Sequence, residues 1–222
     1  PTSDIDDLVK LENVVMKELE QENYLATVDE PHFPSKFKDG PRPYQIDAYQ
    51  AWKDRGKRGV FAMATGTGKT RTAVSIVDVL TNCNWVKNVL FLADRTELVK
   101  QAKKSFNKLM PSLSTINLTS EKDNAENARM VFSTYQTMMN AIDDIKTKDG
   151  KKLFTVGHFD LIIVDEAHRT QYKDLAENMW KGLPNAQYIA FTGTPLLGAK
   201  RLTNQWFGDY VSEYNFAQSV ED

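Results

Sequence analysis

The chain has 222 residues, of which 41% are hydrophobic and 26% charged, as is usual for a soluble globular protein. Its formal net charge of −2 excludes a globally basic nucleic-acid binder, so a contact with DNA must come from a local patch or from dipoles. One cysteine, Cys83, excludes an internal disulfide, and no apolar run could span a membrane, so we expect a cytoplasmic protein without membrane contacts.

Residues 1–40 are predicted to form a helix followed by a connector. Apolar residues recur at helical spacing between residues 4 and 22. Prolines and glycines then cluster between residues 29 and 43, which indicates a domain boundary. Because the chain starts without methionine, we expect it to be a piece of a longer protein.

Tyr44 and Gln45 stand at the start of a predicted helix that ends at Trp52. A glutamine amide offers one acceptor and two donors, which can pair with the edge of adenine. An aromatic ring such as that of Tyr44 can stack on the base. Because the pair lies just before a phosphate-binding motif, we interpret both residues as adenine-binding.

That motif is a glycine-rich turn between a predicted strand at 59–63 and a predicted helix at 71–80, with the sequence Ala64-Thr65-Gly66-Thr67-Gly68-Lys69-Thr70. A strand, a turn ending in Gly-Lys-Thr and a helix together are typical of a phosphate-binding loop. The glycines let successive N–H groups point inward, and the helix N-terminus adds its positive dipole end. We expect Lys69 to reach the β- and γ-phosphates of a nucleotide and Thr70 to bind Mg²⁺. Met63 occupies a position where the general pattern has glycine.

A second motif follows the apolar run at 161–164, which predicts a strand buried on both faces, and reads Asp165-Glu166-Ala167-His168. Two adjacent acids at the end of a buried strand are costly unless they bind something. We expect Asp165 to hold Mg²⁺, directly or through water, and Glu166 to orient and deprotonate an attacking water. His168 is either a buried, hydrogen-bonded histidine or a link from the nucleotide to the next motif.

The last predicted strand, at 188–191, ends in Thr192-Gly193-Thr194-Pro195. Alone, this sequence indicates only a turn. Beside the acidic motif, we expect the hydroxyls of Thr192 and Thr194 to hydrogen-bond back to His168 and Asp165, which would couple the two motifs.

Five predicted turns each follow a short apolar strand directly, at 64–70, 93–96, 133–136, 165–168 and 192–195. In an open parallel sheet, ligands bind outside the carboxyl ends of the strands. The five turns, including the one that holds Arg95, therefore predict a single site at one edge. We predict an α/β fold with a mainly parallel sheet and helices on both faces, preceded by a short helical segment.

In this order, the motifs resemble the first RecA-like lobe of superfamily 2 helicases and translocases, with 165–168 as the DEAH box. The likeness covers roughly residues 41–222. More narrowly, 63–70, 165–169, 191–196 and the tail at 214–222 resemble the motor (R) subunit of type I restriction enzymes.

The resemblance implies a lobe that binds ATP with Mg²⁺ and converts hydrolysis into movement along duplex DNA. It implies that Arg95, Thr134 and Gln136 hold the phosphate backbone of one strand, without reading its bases. A type I restriction enzyme would add methylase and specificity subunits as partners, and a nuclease domain upstream. Three alternatives stay open: another superfamily 2 helicase of the repair or remodelling type acting on DNA or RNA, a different class of P-loop enzyme, and a non-catalytic nucleotide-binding module.

The resemblance also implies a second RecA-like lobe that we do not expect in this polypeptide. Only 28 residues (222 − 194) follow Thr194, too few for such a lobe and its arginine finger. An arginine finger contributes roughly 10³–10⁵ in rate in related phosphate chemistry. We therefore expect lobe one at 41–209, the start of a connection at 210–222, and little ATP hydrolysis by this polypeptide alone.

Overall fold

The computed structural model describes residues 41–64, 66–121, 125–155, 157–167, 185–193 and 210–214, together with residues 181 and 183. The predicted N-terminal helix at 4–22 lies outside these described residues, as does most of the connector. The elements in chain order are α1 (Pro43–Asp54), β1 (Arg58–Met63), α2 (Lys69–Asn82), β2 (Val89–Ala93), α3 (Thr96–Leu109), β3 (Thr115–Asn117), a 3-10 turn (Ala125–Asn127), β4 (Met130–Thr134), α4 (Tyr135–Asp144), β5 (Leu161–Val164), β6 (Gln187–Thr192) and β7 (Tyr210–Tyr214).

Within the described residues, seven strands form one sheet in the order β3-β4-β2-β5-β6-β1-β7, and every pairing is parallel. The predicted α/β fold with a parallel sheet is therefore confirmed. Strands β2, β4 and β5 are buried along their whole length, which explains why β2 and β5 read as continuous apolar runs rather than alternating ones.

The two faces of the sheet carry separate hydrophobic clusters. Helices α1, α2 and α3 pack on one face against the large aromatic residues of the strands, among them Phe61, Phe91 and Phe132. Helix α4 packs on the other face through Met138 and Ala141. Successive strand residues point to opposite faces, so each strand contributes to both clusters. Helices on both faces were predicted, and the described helices have this arrangement.

Helix α3 shows how the sequence pattern produces the packing. Its buried residues Val99, Ala102 and Phe106 lie on one side of the helix. Lys100, on another side, is exposed. Phe106 reaches a ring-centroid distance of 5.4 Å from Phe132 of β4, in an edge-to-face arrangement that aromatic pairs favour.

Strand β7 was not predicted. We expected the strand at 188–191 to be the last and the lobe to end at residue 209, but Tyr210–Tyr214 pairs with β1 and extends the sheet. The neighbouring strand β1 needs a glycine at position 59, because a Cβ there would lie 2.3 Å from Cγ1 of Val211 in β7. The sequence of β7 mixes polar and aromatic residues, so it lacks the apolar run that indicates the inner strands.

Candidate active site

The glycine-rich loop joins the end of β1 to the start of α2. Gly66 and Gly68 have φ angles of +87° and +90°, which residues with a Cβ rarely adopt. The Thr67 hydroxyl donates a hydrogen bond of 2.7 Å to the Ala64 carbonyl oxygen and so closes the turn. Helix α2 begins at Lys69, with Gly68 as its N-cap. The first N–H groups of α2 and its positive dipole end therefore lie at the carboxyl edge of the sheet.

Helix α1 braces this loop. The Tyr44 hydroxyl donates to the carbonyl oxygen of Thr67. Gln45 Nε2 donates to Thr72 Oγ1 at 2.7 Å, while Gln45 Oε1 accepts from the Arg42 N–H at 2.9 Å. The structure therefore brings both predicted adenine-binding residues to the loop, and it gives Gln45 a bracing contact that the sequence did not predict.

Strand β5 brings the two adjacent acids to the same edge. The Asp165 N–H donates to the Leu92 carbonyl oxygen at 2.8 Å, so the parallel ladder continues one residue beyond β5. Glu166 has a φ of +52°, in the left-handed region that a non-glycine residue seldom occupies. Its N–H donates to Asp165 Oδ1 at 3.0 Å. The strand therefore ends in a tight turn at the acids, and such backbone conformations are known to cluster at functional sites.

The glycine-rich loop and the acidic turn meet in an ion pair between Lys69 and Glu166. Lys69 Nζ lies 2.6 Å from Glu166 Oε1, and the two side chains are 11% and 18% exposed. Because β6 lies between β1 and β5, these residues meet across one intervening strand. Thr192, the last residue of β6, is buried, and its coupling role stays a prediction.

Asp165 lies in an electrostatic environment that disfavours its charge. Burial raises the pKa of the Asp165 carboxyl, the neighbouring Lys69 opposes this rise, and the carboxylates of Glu166 and Asp94 add to it. A bound cation would offset this cost. Asp165 and the hydroxyl of Thr70 are oxygen donors, which suit Mg²⁺.

Among the described residues, no group of three or more His, Cys, Asp or Glu side chains could hold a metal ion. Mg²⁺ is usually held by one or two protein oxygens together with substrate phosphates and water. The donors available here therefore fit a magnesium ion that arrives with a nucleotide, rather than one held by the protein alone.

The three predicted DNA contacts differ in their placement. The Arg95 side chain is 65% exposed and lies 3.5 Å from the Asp94 carboxylate, measured from Nε to Oδ2. Gln136 is exposed on the first turn of α4. Thr134 is buried instead, and its hydroxyl accepts from the Thr137 N–H at 3.2 Å as the N-cap of α4. The structure thus brings the Arg95 and Gln136 side chains to the surface but not that of Thr134.

Three predicted site residues lie outside the described part of the chain. They are Thr65 in the glycine-rich loop, His168 in the acidic motif and Thr194 after β6. Their roles remain predictions, as do the catalytic, nucleotide, metal and DNA roles of the other named residues.

Three residues around the site were given no role by the sequence analysis, although Asp94 and Tyr135 lie in two of its predicted turns. Thr72 holds Gln45, and a threonine one helical turn after Gly68 is the only signal of it. Asp94 follows β2 and helps to raise the pKa of Asp165, which follows the neighbouring β5; the position of both residues directly after adjacent parallel strands could have indicated this. Tyr135 is buried behind the acids, and no sequence pattern distinguishes it from an ordinary core tyrosine.

A parallel sheet with a glycine-rich loop after one strand and paired acids after another defines the class of P-loop proteins with a RecA-like lobe. No helix in the described residues has the length and apolar character needed to cross a membrane.

Comparison with known proteins places the chain in one family within this class. Residues 38–197 match the family described as type III restriction enzyme, res subunit, and the chain belongs to this family. It is 31% identical over 197 residues to the endonuclease subunit of a type I restriction enzyme from Staphylococcus saprophyticus, an alignment covering 82% of this chain and 20% of that protein. The chain spans about a fifth of the length of this relative and of a similar endonuclease subunit from Staphylococcus aureus.

Solved structures of related proteins support the same assignment. A fragment of an HsdR subunit of a type I restriction enzyme from Vibrio vulnificus has a TM-score of 0.62 and 26% identity, over 85% of this chain and 32% of that one. The Hef helicase domain of Pyrococcus furiosus has a TM-score of 0.59 and 24% identity, over 77% of this chain and 38% of that one, and shows the fold alone. The resemblance to the first lobe of a superfamily 2 R subunit is therefore confirmed.

Proposed function

We propose that this chain is the ATP-binding motor lobe of a DNA translocase, part of the R subunit of a type I restriction endonuclease. The observation that supports this most directly is the 2.6 Å contact between Lys69 and Glu166, which joins the glycine-rich loop to the acidic motif. A lysine on a phosphate-binding loop and an acid beside it are the parts needed to hold a triphosphate and activate water.

In the proposed reaction, the loop N–H groups and Lys69 bind the β- and γ-phosphates. Thr70 and Asp165 would hold Mg²⁺, which supplies positive charge to the phosphate oxygens. Glu166 would orient a water molecule for attack on the γ-phosphorus and accept its proton. Lys69 must leave Glu166 for this to happen, because the carboxylate oxygen that accepts its hydrogen bond at 2.6 Å is not available to a water molecule. Binding of the triphosphate and activation of the base are then linked.

DNA would contact the same edge through Arg95 and Gln136. An exposed guanidinium next to a helix start can bind a backbone phosphate, and such contacts carry no base information. That property suits a motor that moves along any sequence. The net charge of −2 requires this attraction to be local.

The proposed enzyme would need a further lobe and further subunits besides this lobe. A second RecA-like lobe of the same protein would close over the nucleotide, and methylase and specificity subunits would join the assembly. The names of the relatives support this proposal, since they are type I restriction enzyme endonuclease subunits. Such an enzyme would act on DNA in the cytoplasm.

The experiment that tests the proposal is Glu166→Gln in the full-length protein. We expect DNA-stimulated ATP hydrolysis to be lost while binding of a fluorescent ATP analogue remains, because glutamine keeps the shape but cannot accept the proton. Glu121→Gln is the control, because Glu121 is exposed and pairs with Lys103 away from the site. Unchanged hydrolysis in Glu166→Gln would exclude the proposed mechanism. Displacement of a paired strand by the wild type would favour a helicase that unwinds over a duplex translocase.

A further inference from the structure

The hydroxyl of Tyr135 is buried and makes no hydrogen bond within the described part of the chain. The residue is 6% exposed. Buried polar groups are nearly always hydrogen-bonded, so one that is not calls for an explanation. Two other tyrosines of this lobe follow the rule, since Tyr44 donates to the Thr67 carbonyl oxygen and Tyr188 to that of Leu183.

Tyr135 lies at the same end of the sheet as the acids Asp94 and Asp165. It follows β4 directly, as Asp94 follows β2 and Asp165 follows β5. These three strands are neighbours in the order β4-β2-β5. The registers pair Ala93 with Thr134 and Leu92 with Val164. Continued by one residue, they place Asp94 opposite Tyr135 and Asp165 opposite Ala93, one residue short of that level, at the same end of the sheet.

The surroundings keep the phenol protonated. Burial, and then the carboxylates of Asp165 and Asp94, raise the pKa of Tyr135 well above its usual value. The group therefore remains a hydrogen-bond donor throughout the range in which proteins function. A buried donor beside carboxylates has a natural acceptor in one of them.

Of these carboxylates, Asp165 is the one whose orientation would affect the binding of Mg²⁺. Its Oδ1 already accepts from the Glu166 N–H at 3.0 Å, which restrains one side of the carboxylate. A second donor would fix the plane of the group. Carboxylates that bind metals are generally held by such outer hydrogen bonds, and these determine how well the metal binds.

We propose that Tyr135 is a positioning residue, whose hydroxyl donates a hydrogen bond to the Asp165 carboxylate in the Mg²⁺–nucleotide state. The inference rests on the proposed function, because it requires Asp165 to be a magnesium ligand.

The ring of Tyr135 has a separate structural role. It belongs to the hydrophobic cluster that includes Met138 and Ala141 of α4. Tyr135→Phe keeps the ring and removes only the hydroxyl. Tyr188→Phe is the matched control, because Tyr188 is also buried in the sheet but its hydroxyl is hydrogen-bonded to Leu183, away from the magnesium residues.

The experiment measures Mg²⁺-dependent binding of a fluorescent ATP analogue to the full-length protein, with urea unfolding of each variant. For Tyr135→Phe we expect the half-saturating Mg²⁺ concentration to rise about 10- to 100-fold. Binding of the analogue in EDTA and the unfolding midpoint should not fall. For Tyr188→Phe we expect the reverse, a lower unfolding midpoint with the wild-type Mg²⁺ dependence.

An unchanged Mg²⁺ dependence in Tyr135→Phe would overturn the inference and leave the proposed function intact. An equal shift in Tyr188→Phe would also overturn it, because the effect would then come from packing. If the wild-type protein bound the analogue without any response to Mg²⁺, the proposed function itself would fail, and the inference with it.

Discussion

Lys69 Nζ and Glu166 Oε1 lie 2.6 Å apart, although 97 positions separate the two residues in the chain. The contact joins the residue expected to bind phosphate to the residue expected to activate water. A triphosphate must compete with Glu166 for Lys69. The pair therefore acts against nucleotide binding, and releasing Lys69 makes the carboxylate available as a base.

Glu166→Gln should consequently bind ATP more tightly than the wild type. A charged hydrogen bond contributes about 1.5–3 kcal/mol, and partial exposure reduces this, so we expect a gain of up to about tenfold in affinity. Loss of a negative charge beside the triphosphate acts in the same direction. Equilibrium titration of a fluorescent ATP analogue measures the effect. Weaker binding than in the wild type would show that Glu166 holds the nucleotide rather than competing with it.

Asp165→Asn should stabilise the nucleotide-free protein at neutral pH. The pKa of Asp165 is raised in the folded state, chiefly by burial, so the folded protein binds the proton more tightly than the unfolded chain does. The stability that this proton gives is present at acid pH and is lost as pH rises through the raised pKa. Urea unfolding at several pH values should show a gain for the variant that shrinks as pH falls. A gain independent of pH would contradict this cause.

Thr72→Val should destabilise the protein and weaken nucleotide binding together. Valine keeps the shape but removes the acceptor of the Gln45 amide, and a buried donor left unsatisfied costs about 1–3 kcal/mol. Thr81→Val is the control on the same helix, because the Thr81 hydroxyl bonds only to backbone carbonyl oxygens of that helix. Equal effects of the two variants on nucleotide affinity would exclude a special role for the Gln45 brace.

Gly59→Ala should destabilise the sheet by about 1–3 kcal/mol, the usual cost of forcing an extra methyl group into a packed core. The added Cβ would meet Val211 of β7 at 2.3 Å, so the edge strand must shift. Gly157→Ala is the control, because its Cβ would meet nothing within 4 Å. If urea unfolding gave the same midpoint for both variants, β7 would not pack against β1 as described.

Arg95→Ala should weaken DNA binding almost equally for all sequences. Loss of one phosphate contact should reduce the slope of log affinity against log salt by about 1. Lys108→Ala is the control, because Lys108 lies in the last turn of α3, at the other end of the helix from its N-cap Arg95. DNA-binding titrations at several salt concentrations give both slopes. An unchanged slope in Arg95→Ala would remove this residue from the DNA surface.

The sequence predicted the features that depend on local pattern. The inner strands are apolar runs buried on both faces, and Gly66 and Gly68 mark a turn that only glycine adopts readily. The carboxyl ends of parallel strands necessarily meet at one edge, so the grouping of the loop and the acids followed from the motif order.

The sequence alone could not predict the contacts between distant residues or the strand at the edge of the sheet. Strand β7 is polar enough to read as a loop, and only its pairing with β1 makes it a strand. Thr134 was expected to hold the DNA backbone, whereas the structure buries it and its hydroxyl accepts from the Thr137 N–H as the N-cap of α4. The orphan hydroxyl of Tyr135 depends on which strands are neighbours, and no local pattern encodes that order.

A structure of the full-length protein with Mg²⁺ and a non-hydrolysable ATP analogue tests the central claim most directly. We predict that Lys69 leaves Glu166 for the β- and γ-phosphates, and that Thr70 and Asp165 hold the magnesium ion. A nucleotide bound elsewhere, or Lys69 still paired with Glu166 beside a bound nucleotide, would contradict the account.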